Sequence, residues 1–113
     1  MVRKINEVRS SSNRRPLSFS RRLSSGAASW ARHLVRRNLL EHSYAAISRG
    51  EGEIIEWHTG GRALVTRTVI EWWQSVAHRR VMLGRGYRRA GAGRAVGYMG
   101  GRLCTIWVVR FAG

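Results

Sequence analysis

The sequence has no aspartate, one lysine (Lys4), one cysteine (Cys104) and one proline (Pro16). Each shortage excludes something. Without aspartate, no Asp-dependent catalytic or metal site can be built. A single cysteine cannot close an intrachain disulfide, so no disulfide framework holds the chain. No apolar run is long enough for a transmembrane helix. The basic, serine-rich start, Met1 to Arg22, lacks the apolar centre of a signal peptide. An exported form would carry its signal elsewhere or have lost it, and a cytoplasmic location stays open. Acids of any kind are few: Glu7, Glu41, Glu51, Glu53, Glu56 and Glu71.

What is abundant is positive charge. The 113 residues carry a formal net charge of +15, and all but one of the 21 lysines and arginines are arginine. Such a charge favours anionic partners without choosing a fold. An arginine-rich composition is also what a GC-rich genome encodes. Paired arginines (Arg14-Arg15, Arg21-Arg22, Arg36-Arg37, Arg79-Arg80, Arg88-Arg89) are spread along the chain, with no nucleic-acid motif beside them. Affinity for nucleic acid would therefore be blind to sequence and sensitive to salt. The length suits one domain, 1–113, with one core. Five tryptophans can each contribute about 150–250 Å² of burial to it.

Periodicity places the elements. Residues 1–15 read as a flexible basic arm, in which the spacing of Val2, Ile5 and Val8 allows a short helix. Ser20 is a helix N-cap. Leu23, Ala27, Trp30, Ala31 and Leu34 then form one apolar face to about Leu40. The stretch from Glu41 to Trp57 reads as loop plus a short extended piece at Glu53–Trp57. Thr66 or Thr68 caps a third helix through Ser75, with Val69, Trp72, Trp73 and Val76 inward, and Val81 to Leu83 adds a turn. "GAGRAVGYM" and "RLCTIWVVRF", separated by Gly100-Gly101, predict a β-hairpin whose second strand is apolar on both faces and so central. The fold class expected is α+β, a layered α-β-α domain with a small antiparallel sheet.

The segments "INEVR", "PLSFS", "LSSGAASWA", "EHS", "GEII", "WWQSVAHRRVML", "GAG" and "VVRFAG" follow one another in this order over almost the whole chain. In that order they resemble the CAP superfamily, or SCP-like domain, of cysteine-rich secretory, antigen 5 and pathogenesis-related proteins, in its short bacterial form. The resemblance implies a three-layer α-β-α sandwich and a secreted or envelope location. It also implies a groove lined by His42, Glu53 and His78, with Ser75 where many relatives carry a second glutamate. Ile54 and Val76-Ala77 depart from the Asn and Pro-Gly of the family pattern.

Two histidines and a carboxylate from separate segments are suitable ligands for Zn²⁺ or another divalent cation. Glu71, one helical turn before Ser75, is a candidate for the missing fourth ligand, and Trp73 a candidate to line the groove. The same residues equally form a His–Glu network that simply satisfies a buried carboxylate. Ser75 and His78 are the candidates for a hydrolase, yet neither an orienting aspartate nor a nucleophile elbow accompanies them. His33 and His58 read as surface residues. Three functions remain in view. The first is a non-enzymatic domain that holds a divalent metal, a lipid or sterol-like ligand, or an anionic surface such as cell-wall polymer or anionic lipid. The second is a basic protein that binds polyanions or nucleic acid, and the third is a hydrolase.

Overall fold

The computed structural model describes residues 1–62 and 64–113. In chain order the elements are α1 (Val2–Ser11), β1 (Ser18–Phe19), α2 (Arg21–Arg37), α3 (Tyr44–Ser48), β2 (Gly52–Thr59), α4 (Val65–Gln74), α5 (Val76–Met82), β3 (Arg89–Met99) and β4 (Arg102–Ala112). The strands form one sheet in the order β1-β3-β4-β2, with β1 parallel to β3 and the other pairs antiparallel.

The alternation of β4 builds two cores. Cys104, Ile106 and Val108 pack with Ala27, Ala31 and Leu34 of α2 on one face. Val109 and Phe111 pack on the other face with Ile5 of α1, Val69 and Trp72 of α4, and Met82 of α5. This is the expected α-β-α sandwich. It also explains why β4 is apolar on both faces: it is an interior strand covered above and below. Gly100 and Gly101 turn the hairpin at φ 58° and 80°, a conformation that glycine adopts without steric cost.

Local signals set most boundaries. The Ser20 side chain accepts from the Leu23 N–H at 3.1 Å and starts α2. Asn38, at φ 54°, ends it after Arg37, short of the expected Leu40. Gly26 lets α2 settle over Arg110, whose Nη1 would lie 2.8 Å from an added Cβ. The hairpin itself falls where the pattern placed it.

Five expectations are corrected. Residues 1–15 are no flexible arm. Asn6 is tied to Leu17 through two bonds of 2.9 and 2.8 Å. Arg9 is buried, and donates to Met82 O at 2.7 Å, Gly84 O at 3.0 Å and Arg15 O at 2.8 Å. The loop after His42 contains α3, capped by Ser43 through Ala46 N–H at 3.2 Å. At five residues, this helix is too short to show a stripe. Neither Thr66 nor Thr68 caps α4: Leu64 stands at the cap position, and the Thr68 hydroxyl lies inside the helix, donating back to Leu64 O at 3.0 Å. Val76 is exposed rather than inward, because the helix breaks at Ser75 and α5 starts a new axis. Trp30 is only half-buried. It stacks on His33 with ring centroids 4.6 Å apart. Among the described residues no helix is long and apolar enough to cross a membrane.

Candidate functional site

Glu53 is the most deeply placed acid. It lies on β2, opposite Arg110 of β4, and paired residues project to the same face of a sheet. That face is the one covered by α2. The Arg110 Nε donates to Glu53 Oε2 at 3.0 Å, with side chains 7% and 1% exposed. The Ser43 N–H donates to Oε1 at 2.9 Å. His42 Nδ1 reaches the same oxygen at 2.9 Å from a side chain that is 54% exposed. A carboxylate only accepts, so the proton sits on Nδ1 and the ring nitrogen Nε2 is turned outward. Two of the three residues singled out for the groove are thus brought together, with Arg110 as a counter-ion.

His78 belongs to the layer on the other face of the sheet. Its Nδ1 lies 2.7 Å from Ser75 Oγ. Ser75 occupies the cap position of α5 and makes no side-chain cap bond there; its hydroxyl is spent on His78 one turn later. No hydrogen bond links this pair to His42 or Glu53, and no carboxylate bonds to His78, among the described residues. The same residues include no group of three His, Cys or Glu side chains arranged to hold a metal ion. The donor set does not fit a single cation as arranged. Both Glu53 oxygens are engaged, and the strand turns Glu53 toward α2 while His78 rises from α5.

Glu71 is also committed elsewhere. It accepts from Arg67 Nε at 3.2 Å and faces His58 Nδ1 at 3.6 Å. His58, expected at the surface, is buried against α4. Thr68 spends its hydroxyl proton on Leu64 O, so His58 Nε2 carries the hydrogen of their 2.9 Å bond. His58 was legible in principle. Ile54, Glu56 and His58 alternate along β2, and the first of them is a core residue. Trp57, His58, Arg67 and Glu71 line a pocket of about 220 Å³.

Glu56 shares the face with His58. Burial pushes its carboxyl above the ordinary range, and the Glu71 charge adds to this. The Trp57 N–H, His58 and His78 oppose it. A carboxyl raised in the folded state takes up its proton more readily there. Its contribution is therefore full below the ordinary range near about pH 4.3 and is lost as pH rises through the raised value. Glu56→Gln is expected to raise Tm by a few degrees at neutral pH and to leave it unchanged near about pH 3. Thermal melts at both pH values check this.

Trp73 lines a groove, but a different one. Lys4, Val8, Ser11 and Ser12 of the α1 end face Val69, Ile70, Trp73 and Gln74 of α4 across about 390 Å³. Arg79 lies over the Trp73 ring, 5.2 Å from its centroid. Ile70 is 50% and Trp73 36% exposed there.

Residues 2–111 match the family described as "CAP: Cysteine-rich secretory protein family". The chain belongs to the CAP family. Solved structures agree on the CAP fold. An outer surface protein from Borrelia burgdorferi is 20% identical, with a TM-score of 0.76 over 97% of this chain and 86% of that one. An extracellular protein containing a SCP domain from Bacillus anthracis is 18% identical, with a TM-score of 0.72 over 95% of this chain and 37% of that one. MpPR-1i is 14% identical, with a TM-score of 0.73 over 97% and 82%. A search of curated proteins finds no match. Within this CAP domain His42 and Glu53 are joined directly, and Arg110 is the partner that sequence reasoning missed.

Proposed function

We propose that this CAP domain works outside the cell or in its envelope as a non-catalytic carrier or sensor of an anionic amphiphile, a fatty-acid-type molecule seated between α1 and α4. The observation that carries the reading is the groove itself. Its walls are Val8, Val69, Ile70 and Trp73, and its polar edge carries the Arg79 guanidinium over Trp73, with Lys4 beside it paired to Glu7 at 2.9 Å. Large apolar side chains left in contact with water beside cations suit a molecule with an acyl chain and a negative head. The family, and an outer-surface protein among the structural neighbours, support the location. Support for a non-catalytic role comes from Ser75 and His78. They form a local helix-start pair without the third, orienting group that a nucleophile–base pair requires.

The test is titration with a dansyl-labelled undecanoic acid, read by its fluorescence blue shift and by displacement with unlabelled palmitate. Wild type is expected to bind. Ile70→Glu places a charge on the apolar wall and is expected to weaken binding at least tenfold, the scale set by about 1.5–3 kcal/mol for one buried aliphatic side chain. Ile70 is half-exposed, so the fold survives the change, and circular dichroism checks that. Equal binding by the two proteins, or none by wild type, removes the reading.

A further inference from the structure

We propose that the outer face of α2 is a docking surface for the phosphate backbone of duplex nucleic acid, read without regard to sequence. The inner face of this helix is fixed by Leu23, Ala27, Ala31 and Leu34 in the core. The opposite side carries Arg21, Ser25, Ser29, Arg32 and Arg36, at intervals of four, four, three and four residues. That spacing aligns them on one stripe, and all five are exposed. No acid occurs anywhere in α2.

The cations on this stripe are not used by the protein. Arg22, beside it, is paired with Glu51 at 3.2 Å. Arg21, Arg32, Arg36 and Arg37 have no hydrogen-bond or ion-pair partner among the described residues. Their placement along the helix is a second observation. Arg36 and Arg37 sit in the last turn, where a positive charge is favoured. Arg21 and Arg22 sit in the first turn, which has no acid and where the helix end is itself positive. The unpaired Arg21 guanidinium is disfavoured there by the helix end. A phosphate at this end relieves that repulsion.

The chemistry of the stripe selects the occupant. It holds guanidinium groups and hydroxyls only, the groups that contact phosphate oxygens. It presents no aromatic ring to stack on unpaired bases and no apolar side chain to enter a lipid surface. From Arg21 to Arg36 it spans about 22 Å. That is most of one helical turn of B-form duplex, about 34 Å, and an exposed helix face is narrow enough for a major groove about 12 Å wide. The surface lies on the α2 layer, across the sheet from the α1–α4 groove, so either site can fail without the other.

The experiment is fluorescence anisotropy with a mixed-sequence duplex of about 20 base pairs, titrated at KCl concentrations between about 50 and 200 mM. One variant combines R21Q, R32Q and R36Q. A control combines R85Q, R88Q and R102Q, three exposed arginines outside α2. Glutamine is about as good a helix former as arginine, so α2 is retained. Loss of three phosphate contacts is expected to make the plot of log K against log salt shallower by about 2.7 in the α2 variant. The control should keep the wild-type slope and an affinity within a few-fold. Equal losses in the two variants would reduce the effect to diffuse net charge and overturn the proposal. So would a wild-type slope near zero, or an α2 variant that loses binding to phosphatidylglycerol vesicles while keeping the duplex.

Discussion

Arg110→Ala is expected to destabilise the domain by about 3–5 kcal/mol, the usual cost of removing one partner from a buried ion pair. Glu53 would remain 1% exposed with one oxygen stripped of its charged donor. His42 and the Ser43 N–H both serve the other oxygen and cannot make up the loss. The guanidinium also fills the space above Gly26, so the truncation opens a void between α2 and the sheet. On a domain of this size, about 3–5 kcal/mol corresponds to a fall in Tm of roughly 12–30 °C. Replacing both members, Glu53→Gln with Arg110→Met, is expected to cost less than Arg110→Ala alone, since no charge is left buried. Chemical denaturation of the two variants and wild type checks the order. A double variant less stable than the single one would mean that the pair does more than neutralise itself.

The second large effect is at the seam between α2 and β3. A Cβ at Gly93 would overlap the Ala28 N and Cα, and one at Gly91 would overlap the Ser24 N. These neighbours are backbone, so no rotamer change relieves the clash. The Ser24 hydroxyl adds to the closeness of this contact by accepting from the Ala92 N–H at 3.1 Å. Gly93→Ala is expected to push α2 off the sheet and cost at least about 3 kcal/mol, beyond the usual range of overpacking because the displaced atoms are main chain. Gly86→Ala, where an added Cβ meets nothing, is expected to stay within about 0.5 kcal/mol of wild type. Urea midpoints of the two variants separate the cases. Similar small losses in both would show that the seam can open.

Much of this architecture was legible, for physical reasons that differ by element. α2 announces itself through a serine cap and a long apolar stripe. β4 does so through an apolar run that alternates on both faces, and the hairpin through two adjacent glycines. α3 left no trace because five residues complete barely one turn. The start of α4 was misread because Thr68 bonds within its own helix instead of capping it. In the candidate site, His42 and Glu53 were found, and their contact is local to one edge strand and the segment before it. Arg110 was missed although an arginine inside "WVVRFAG" is itself a sign of a buried charge in need of a partner. His58 was missed because β2 was read as ending at Trp57, one residue short of the position where its alternation with Ile54 turns it inward. The wider difficulty is that strand alternation decides which layer a residue joins, and the order of motifs along the chain does not. His78, grouped with Glu53 on the order of motifs, rises from the layer opposite the face Glu53 turns to.

The strand order β1-β3-β4-β2 puts the last-made strand of the domain in the middle. Until residues 102–112 emerge from the ribosome, β2 has nothing to pair with, and the carboxylate it carries has no cation to meet. The sheet therefore cannot close before this strand is made, and the ladder that joins its two halves is the last to be available.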